Sequence, residues 1–470
     1  MSIFLKINPR MKLISHNEEF FIFSIDENRT STFYTKNQGL YKALLEFVYE
    51  GKPLNKLETH DQHDKSLSRL LLFIEILKKH GFIDYHFHFS DSESIIVCPK
   101  SSSFKDSYLT STIHISQQCP YTFSRFAYFR NEKDKITVEC PLAPFKTIWT
   151  KTVFIQLLPF ITGEEKLTDH KYIFSQDATT REIFFNLLVG HGFLYPNHEE
   201  EVECLKYWEF HDLVFHSHSR RGGFDDNFSF GATYRFQHKL NPPLTFKEVD
   251  LENKIELYKP NLNELSINDP TFSKVLESRR SLRNFNENKM LNINELGEFL
   301  YRSIAIREVI KTPIQDAIFR PYPAAGAIHE IEFYLVVNAC DGLKPDIYYY
   351  HPMNHILCEK NVDKQYISKI ISNAKVGLGI NASSPQIVFV LTSRFGKIAW
   401  KYEKIAYRST LISIGAIFQT MSLVATSMNL ASCIVGSGDS SLFAEALEIN
   451  LLEEGAVGEF VLGVQSEAKE

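Results

Sequence analysis

A lysine and a tyrosine stand side by side at Lys401 and Tyr402, inside the run Trp400-Lys401-Tyr402-Glu403-Lys404-Ile405-Ala406-Tyr407-Arg408. An adjacent amine and phenol offer a base and an acid, which is what taking hydrogen from a carbon ring requires. On its own the pair reads more readily as a surface Lys-Tyr at the start of a helix, with the tyrosine packed and the lysine solvated. Glu403 would keep the amine charged unless its carboxylate points elsewhere.

Three further stretches carry groups suited to an anionic or flat ligand. Ser278-Arg279-Arg280-Ser281-Leu282-Arg283-Asn284-Phe285 places three arginines and two hydroxyls at the end of a helical stretch. Guanidinium forks and hydroxyls there can grip phosphate and the edge of an electron-rich ring, although an isolated run of this kind is more often a solvated basic loop. Arg320-Pro321-Tyr322-Pro323-Ala324-Ala325-Gly326-Ala327 is a rigid small-residue loop entering a strand, where a flat group could approach the backbone. A plain turn has the same composition. Cys433-Ile434-Val435-Gly436-Ser437-Gly438-Asp439 could aim backbone N–H groups at a ligand, as many ordinary loops also do.

These stretches need elements to position them. Strands are expected at Glu332 to Asn338 and Gln386 to Thr392, with long helical periodicity from Lys401 to Met428, where Gly415 and Ala416 would admit another backbone. The alternation predicts a sandwich of sheet and helices. Upstream, the strand-like run Glu19 to Ile25 is followed by helical windows at Leu40 to Tyr49 and Ser66 to Lys79, then His80-Gly81-Phe82. Helix, glycine, strand is the pattern of a small winged-helix unit. A strand-rich passage from Thr112 to Cys140, helical periodicity at Phe145 to Phe160 and Thr179 to Val189, and His191-Gly192-Phe193 suggest a second copy. The expected division is 1–100 and 101–240 as winged-helix-like domains, 241–270 as a proline-marked linker, and 271–470 as the chemical domain.

Length and composition fit this plan. A chain of 470 residues, 44% hydrophobic and with 38 phenylalanines, predicts an ordered protein of two or three domains. A net charge of −6 argues against a nucleic-acid partner held by phosphate neutralisation. The 7 cysteines show no C-x-x-C pair and are expected to be reduced thiols of a cytoplasmic protein. Met1-Ser2-Ile3-Phe4-Leu5-Lys6 has no secretory pattern, and neither secretion nor a membrane span is expected. His211, His216 and His218 lack a fourth ligand at suitable spacing, so no metal is expected.

Taken in order, Arg279-Arg280-Ser281-x-Arg283-x-Phe285, Arg320-Pro321-Tyr322-Pro323 with Gly326, Trp400-Lys401-Tyr402-Glu403 with Ala406-Tyr407-Arg408, and Gly436-Ser437-Gly438 resemble the nitroreductase-like flavoproteins. Their branch is similar to the azoline dehydrogenases of ribosomal peptide pathways, the cyanobactin oxidases included. Trp208 to Arg220 and Gly231-Ala232-Thr233-Tyr234-Arg235-Phe236 resemble the segment preceding the oxidase domain there, so the resemblance spans about residues 200 to 465. It implies an α+β protein: a C-terminal nitroreductase-like FMN-binding α/β sandwich behind two winged-helix-like, leader-peptide-recognition-like domains.

The resemblance also implies FMN at a homodimer interface. Arg279, Arg280, Ser281 and Arg283 would contact its phosphate, ribityl chain and pyrimidine edge, and Gly436 and Ser437 would bring backbone donors to N5. Pro323, Gly326, Arg408 and Gln419 complete the implied cofactor set, and Lys401 and Tyr402 are the implied catalytic pair. Relatives carry Y-P-S-G-G-A where this chain has Tyr322-Pro323-Ala324-Ala325-Gly326-Ala327, which leaves backbone contacts from that loop. The implied substrate is a heterocyclised precursor peptide, supplied by a cyclodehydratase, whose azoline rings lose a proton and a hydride to become azoles. A reductase drawing on a nicotinamide, or a scaffold that only binds a leader peptide, are the competing readings.

Overall fold

Residues 331–337, Ile-Glu-Phe-Tyr-Leu-Val-Val, are apolar on both sides of the alternation, and in the computed structural model they form a strand buried along its whole length. A strand apolar on both faces needs a layer on each side. The structure describes residues 3–7, 12–16, 20–26, 29–34, 52–53, 72, 74–78, 83–89, 92–100, 104, 120–166, 178–196, 202–220, 231–249, 253–379 and 382–466. The chain divides into two compact units, Met1–Phe230 and Gly231–Glu470.

In the first unit seven strands form one sheet in the spatial order Lys52–Pro53, Ile3–Ile7, Ile83–His88, Ser94–Pro99, Phe145–Thr150, Lys135–Glu139, Tyr128–Glu132. Ser94–Pro99 pairs with Phe145–Thr150, so the sheet crosses the division expected at residue 100, and one apolar core runs from Ile3 to Leu213. Two winged-helix-like modules with separate cores are therefore not what the strands build. Phe145–Thr150, expected to open a helix, is a strand because Phe145, Thr147 and Trp149 alternate inward; the helix is Lys151–Ile161. The helix expected at 179–189 is Ala178–Gly190, and Gly192 at φ 70° turns the chain into the strand Leu194–Pro196. The window Leu40 to Tyr49 and the His80-Gly81-Phe82 echo lie outside the described residues.

The second unit is a three-layer sandwich. Its strands are β1 (Lys254–Glu256), β2 (Ile331–Val337), β3 (Asp346–His351), β4 (Ile356–Glu359), β5 (Ile387–Arg394), β6 (Leu430–Val435) and β7 (Glu454–Val464). They lie in the order β1-β4-β3-β2-β5-β7-β6, all neighbours antiparallel. Its helices are α1 (Leu262–Asn268), α2 (Phe272–Ser278), α3 (Ile293–Ile304), α4 (Lys364–Leu378), α5 (Phe395–Ala399), α6 (Ala406–Ser427) and α7 (Ser440–Ala446). Phe299 and Leu300 of α3 and Ile414, Ile417 and Met421 of α6 cover Phe333, Phe389 and Phe460 on one face of the sheet. Ile367, Ile370 and Ala374 of α4 cover Tyr334, Val388 and Val461 on the other. A capping box at Asn292 and Glu295 starts α3 by satisfying backbone donors at its first turn.

The segment expected as a linker is built into this unit. β1 adds an edge strand beside β4, Thr245 donates its hydroxyl to Asp316 at 2.6 Å, and Lys247 pairs with Glu454 at 2.6 Å. Helix α6 begins at Ala406, later than the expected Lys401, because residues 401–405 form turns tied to Gly231 and Tyr234. Among the described residues it is the one helix long and apolar enough to cross a membrane, and half of its apolar window is buried in this domain.

Candidate active site

Trp400, 4% exposed, closes α5 and donates its indole N–H to Leu240 O at 3.0 Å. Beyond it the backbone stays irregular. Thr233 N and Tyr234 N both donate to Lys401 O, at 3.0 and 3.1 Å, Ala232 bridges to Tyr402, and Glu403 N donates to Gly231 O at 3.0 Å. These bonds hold Lys401 and Tyr402 on a short irregular link between two helices. Lys401 Nζ lies 5.6 Å from the centres of both the Tyr234 and Tyr402 rings.

The small-residue loop meets this corner. Gly326 has φ 58°, and a Cβ at its position would lie 2.7 Å from Lys401 Nζ and 2.7 Å from Tyr402 Oη. Only a residue without a Cβ lets the amine and the phenol approach the loop so closely. The Glu403 carboxylate accepts from Thr233 Oγ1 at 3.2 Å and faces Arg235 at 3.8 Å. Among the described residues Lys401 makes no ion pair.

Beneath the corner the interior is unusually polar. Lys397, 3% exposed, donates from Nζ to Thr245 O at 2.8 Å and His329 O at 3.0 Å. Burial, opposed by Glu332 and assisted by Arg320 and Arg394, pushes its amine down to about 8. Burial, with Arg320 and Lys397 nearby, pushes the His329 imidazole down to about 3. Glu330 is fully buried, and burial raises its pKa against the opposing effect of the nearby Thr410 hydroxyl and the Lys397 and Arg320 cations. Arg320 donates to Tyr322 Oη at 3.0 Å and faces the Phe333 ring. A cleft of about 630 Å³, lined by Leu240, Pro242, Pro313, Ile314 and neighbours, shares Trp400 with the corner.

The arginine motif lies elsewhere on the domain. Leu282 N donates to Ser432 O at 2.9 Å, which sets the Arg279 to Arg283 loop against the edge strand β6, whose far end carries Gly436 and Ser437. Arg280 folds back onto Glu277 O and Arg279 O, each at 2.8 Å. Arg283 and Ser281 are exposed, Arg279 is half-buried, and no side chain of the three makes a hydrogen bond or ion pair among the described residues. Exposed guanidinium groups without a carboxylate suit a phosphate. Ser437 Oγ is tucked against Gly377 of α4, so it is the backbone of the Gly436-Ser437-Gly438 loop that faces outward. Glu459 of β7, 5% exposed, lies against Gly438 with Oε2 unpartnered, and burial with Asp439 nearby pushes it up to about 7.

Lys401, Tyr402 and Gly326 thus come together, and Pro323 lies exposed on the same loop. Arg408 and Gln419 sit on α6, Gln419 on its exposed face. No hydrogen bond or ion pair among the described residues joins the Lys-Tyr corner to the arginine loop. Sequence reasoning gave no role to Tyr234, Thr233 or Lys397; a lone lysine within Phe395-Gly396-Lys397-Ile398-Ala399-Trp400 was the available signal for the last. Among the described residues no group of His, Cys, Asp and Glu could hold a metal ion, and none of the six described cysteines is in a disulfide.

Comparison with known proteins finds matches to two segments of this chain. Residues 276–464 match the family model of the nitroreductases, so the sandwich is a nitroreductase-like oxidoreductase domain. Residues 121–225 match the model of the cyanobactin oxidase ThcOx, so two separate segments of the chain resemble nitroreductase-like oxidases of the SagB and ThcOx type. Protein MJ1384 of Methanocaldococcus jannaschii, named for a nitroreductase, is 25% identical over 195 residues, 42% of this chain and 90% of its own length. The microcin B17-processing protein McbC of Escherichia coli is 23% identical over 205 residues, 42% of this chain and 72% of its own. Among solved structures, a nitroreductase-type protein of Ralstonia eutropha covers 49% of this chain and 96% of its own, at 18% identity and a TM-score of 0.37. A chain of the E. coli microcin synthetase McbBCD complex, with truncated pro-MccB17 bound, covers 57% of this chain and 99% of its own, at 21% identity and a TM-score of 0.34.

Proposed function

We propose that this protein is an FMN-dependent azoline dehydrogenase that oxidises thiazoline or oxazoline rings in a ribosomally made peptide to thiazoles or oxazoles, with oxygen as final acceptor. The observation that carries the reading is Gly326 against Lys401 Nζ and Tyr402 Oη, in a chain that also matches the cyanobactin oxidase model. FMN, when bound, supplies the ring that accepts hydride. The half-buried Arg279 and the exposed Ser281 and Arg283 would hold its phosphate and ribityl oxygens, and the backbone around Gly436 and Ser437 its ring edge. Lys401, with no carboxylate bound to it, takes the proton from the ring carbon beside the carbonyl. Tyr402 orients the azoline and relays that proton, and Gly326 leaves room for both.

The separation of the Lys-Tyr corner from the arginine loop supports a site completed by a second copy. Leu411 and Ile412 of α6 are 41% and 64% exposed, and a Cβ on Gly415 would meet nothing within 4 Å, so this apolar face is the one we assign to a homodimer. The name of the McbC relative, a microcin B17-processing protein, supports a peptide substrate, and a cyclodehydratase partner belongs to the same proposal. The first unit is assigned to leader-peptide recognition by strand addition. A cytoplasmic location is part of the same proposal.

The deciding experiment is mass spectrometry of a heterocyclised peptide incubated with the FMN-loaded protein. Loss of two hydrogens per ring is expected. Rapid flavin reduction by a nicotinamide, with the peptide unchanged, would favour the reductase reading and overturn this one.

A further inference from the structure

We infer that Lys397 is a positioning residue for the reacting pair: its buried side chain fixes the loop carrying Gly326 against Lys401 and Tyr402. The inference rests on the reading of that pair given above.

Lys397 lies on α5, four residues before Lys401, and the bonds from Trp400 N to Gly396 O and from Tyr402 N to Ile398 O tie the helix end to the reacting pair. Its Nζ donates to His329 O at 3.0 Å and to Thr245 O at 2.8 Å, and its own carbonyl accepts from Gln315 Nε2 at 3.2 Å. Three segments far apart in sequence therefore converge on one residue. His329 is three positions beyond Gly326, and the loop between them is held in an uncommon backbone state. Gly326, Ala327 and His329 have φ of 58°, 57° and 50°, and two of these carry a Cβ. Such a path persists only where surrounding contacts over-determine it. The Lys397 bond to His329 O acts at the end of that path, next to the bond from Arg394 N to Glu330 O at 3.1 Å.

The chemistry of the clamp explains why an apolar residue does not occupy this place. An ammonium in a site only 3% exposed is costly, and its desolvation is offset here by two carbonyls and the nearby Glu332 and Glu330. A methionine would fill the same space but leave both carbonyls without that donor. The loop would then lose its anchor to α5, and Gly326 would no longer press on the amine and phenol. The arginine loop and the Gly436 backbone do not touch Lys397, so flavin binding should largely survive.

The test uses the full-length FMN-loaded protein with Lys397→Met and Lys397→Arg, the second keeping donors for both carbonyls. Hydrogen exchange read by mass spectrometry should show amides of residues 324–330 exchanging at least tenfold faster in Lys397→Met, near wild type in Lys397→Arg, with residues 331–337 unchanged in both. In anaerobic stopped flow, flavin reduction by the heterocyclised peptide should slow at least tenfold in Lys397→Met and recover in part in Lys397→Arg. Reoxidation of photoreduced flavin by oxygen should stay within twofold. Unchanged loop exchange, an unchanged reduction rate, or equal slowing of both half-reactions would overturn the assignment. If Lys397→Met fails to fold, Lys397→Gln takes its place in the same measurements. If the peptide does not reduce even the wild-type flavin, the proposed function fails, while the exchange measurement still decides whether Lys397 clamps the loop.

Discussion

Thr233 donates its hydroxyl to Glu403 at 3.2 Å, and this bond occupies the carboxylate that stands two residues from Lys401. Arg235, 3.8 Å from the other oxygen of Glu403, adds a cation on the same side. The acid nearest Lys401 in sequence is thereby engaged by a neighbouring segment instead of by the amine. Backbone bonds from Thr233 and Tyr234 to Lys401 O fix that arrangement.

A lysine so placed can exchange a proton with substrate, and its removal should be felt in turnover. Lys401→Ala is expected to lower azole formation by at least about 100-fold, the usual scale for a general base. The protein should stay yellow, because the cofactor groups lie on other segments. Turnover measured by mass spectrometry, beside the flavin absorbance, checks this; unchanged turnover removes Lys401 from its assigned role.

Gly326→Ala probes the same corner from the loop side. The new methyl would arrive 2.7 Å from Lys401 Nζ and Tyr402 Oη, on a backbone at φ 58°. A left-handed residue with a Cβ costs about 1–2 kcal/mol, and the clash must push the two side chains away. At least a tenfold loss in kcat with a modest fall in Tm is expected. A variant with wild-type kcat would show that the close approach has no part in catalysis.

The arginine loop makes a separate prediction. The guanidinium groups of Arg279 and Arg283 make no hydrogen bond or ion pair among the described residues, and a charge-assisted hydrogen bond to phosphate is worth about 1.5–3 kcal/mol. Arg279→Ala and Arg283→Ala should each weaken FMN binding by about 10-fold to 100-fold, measured by fluorescence titration of the apoprotein. Arg280→Ala should also lose colour once its guanidinium turns from Glu277 O and Arg279 O toward the ligand. Retained stoichiometric flavin in any one of these removes that arginine from the pocket.

What the sequence made legible follows how local each signal is. The strands around Phe333 and Phe389 are apolar on both faces, and the buried stripe of α6 repeats at helical spacing, so both show in a single window. Phe145–Thr150 misled because its large residues also suit a helix, and pairing with Ser94–Pro99 decides the matter at a distance. The expected division at residue 100 failed for the same reason, since a sheet can cross any boundary composition suggests. Lys401 and Tyr402 were visible as neighbours, whereas Thr233, Tyr234 and Lys397 join them only through contacts between segments. No local pattern encodes which carbonyl a buried lysine will reach.

Glu459 offers a test through pH. Burial raises its folded pKa from 4.5 to about 7, so between those values the folded state holds a proton that the unfolded state has released. The stability contributed by the neutral carboxyl is therefore complete below about pH 4.5 and is lost as pH rises toward 7. The shift corresponds to about 3 kcal/mol. Glu459→Gln keeps the shape without the charge, so its stability relative to wild type should increase across this window and level off above it. Urea unfolding of both proteins at several pH values between 4.5 and 8 measures the difference; parallel curves would mean that Glu459 ionises in the folded protein as readily as in water, and that the carboxyl against Gly438 is not held neutral by its surroundings.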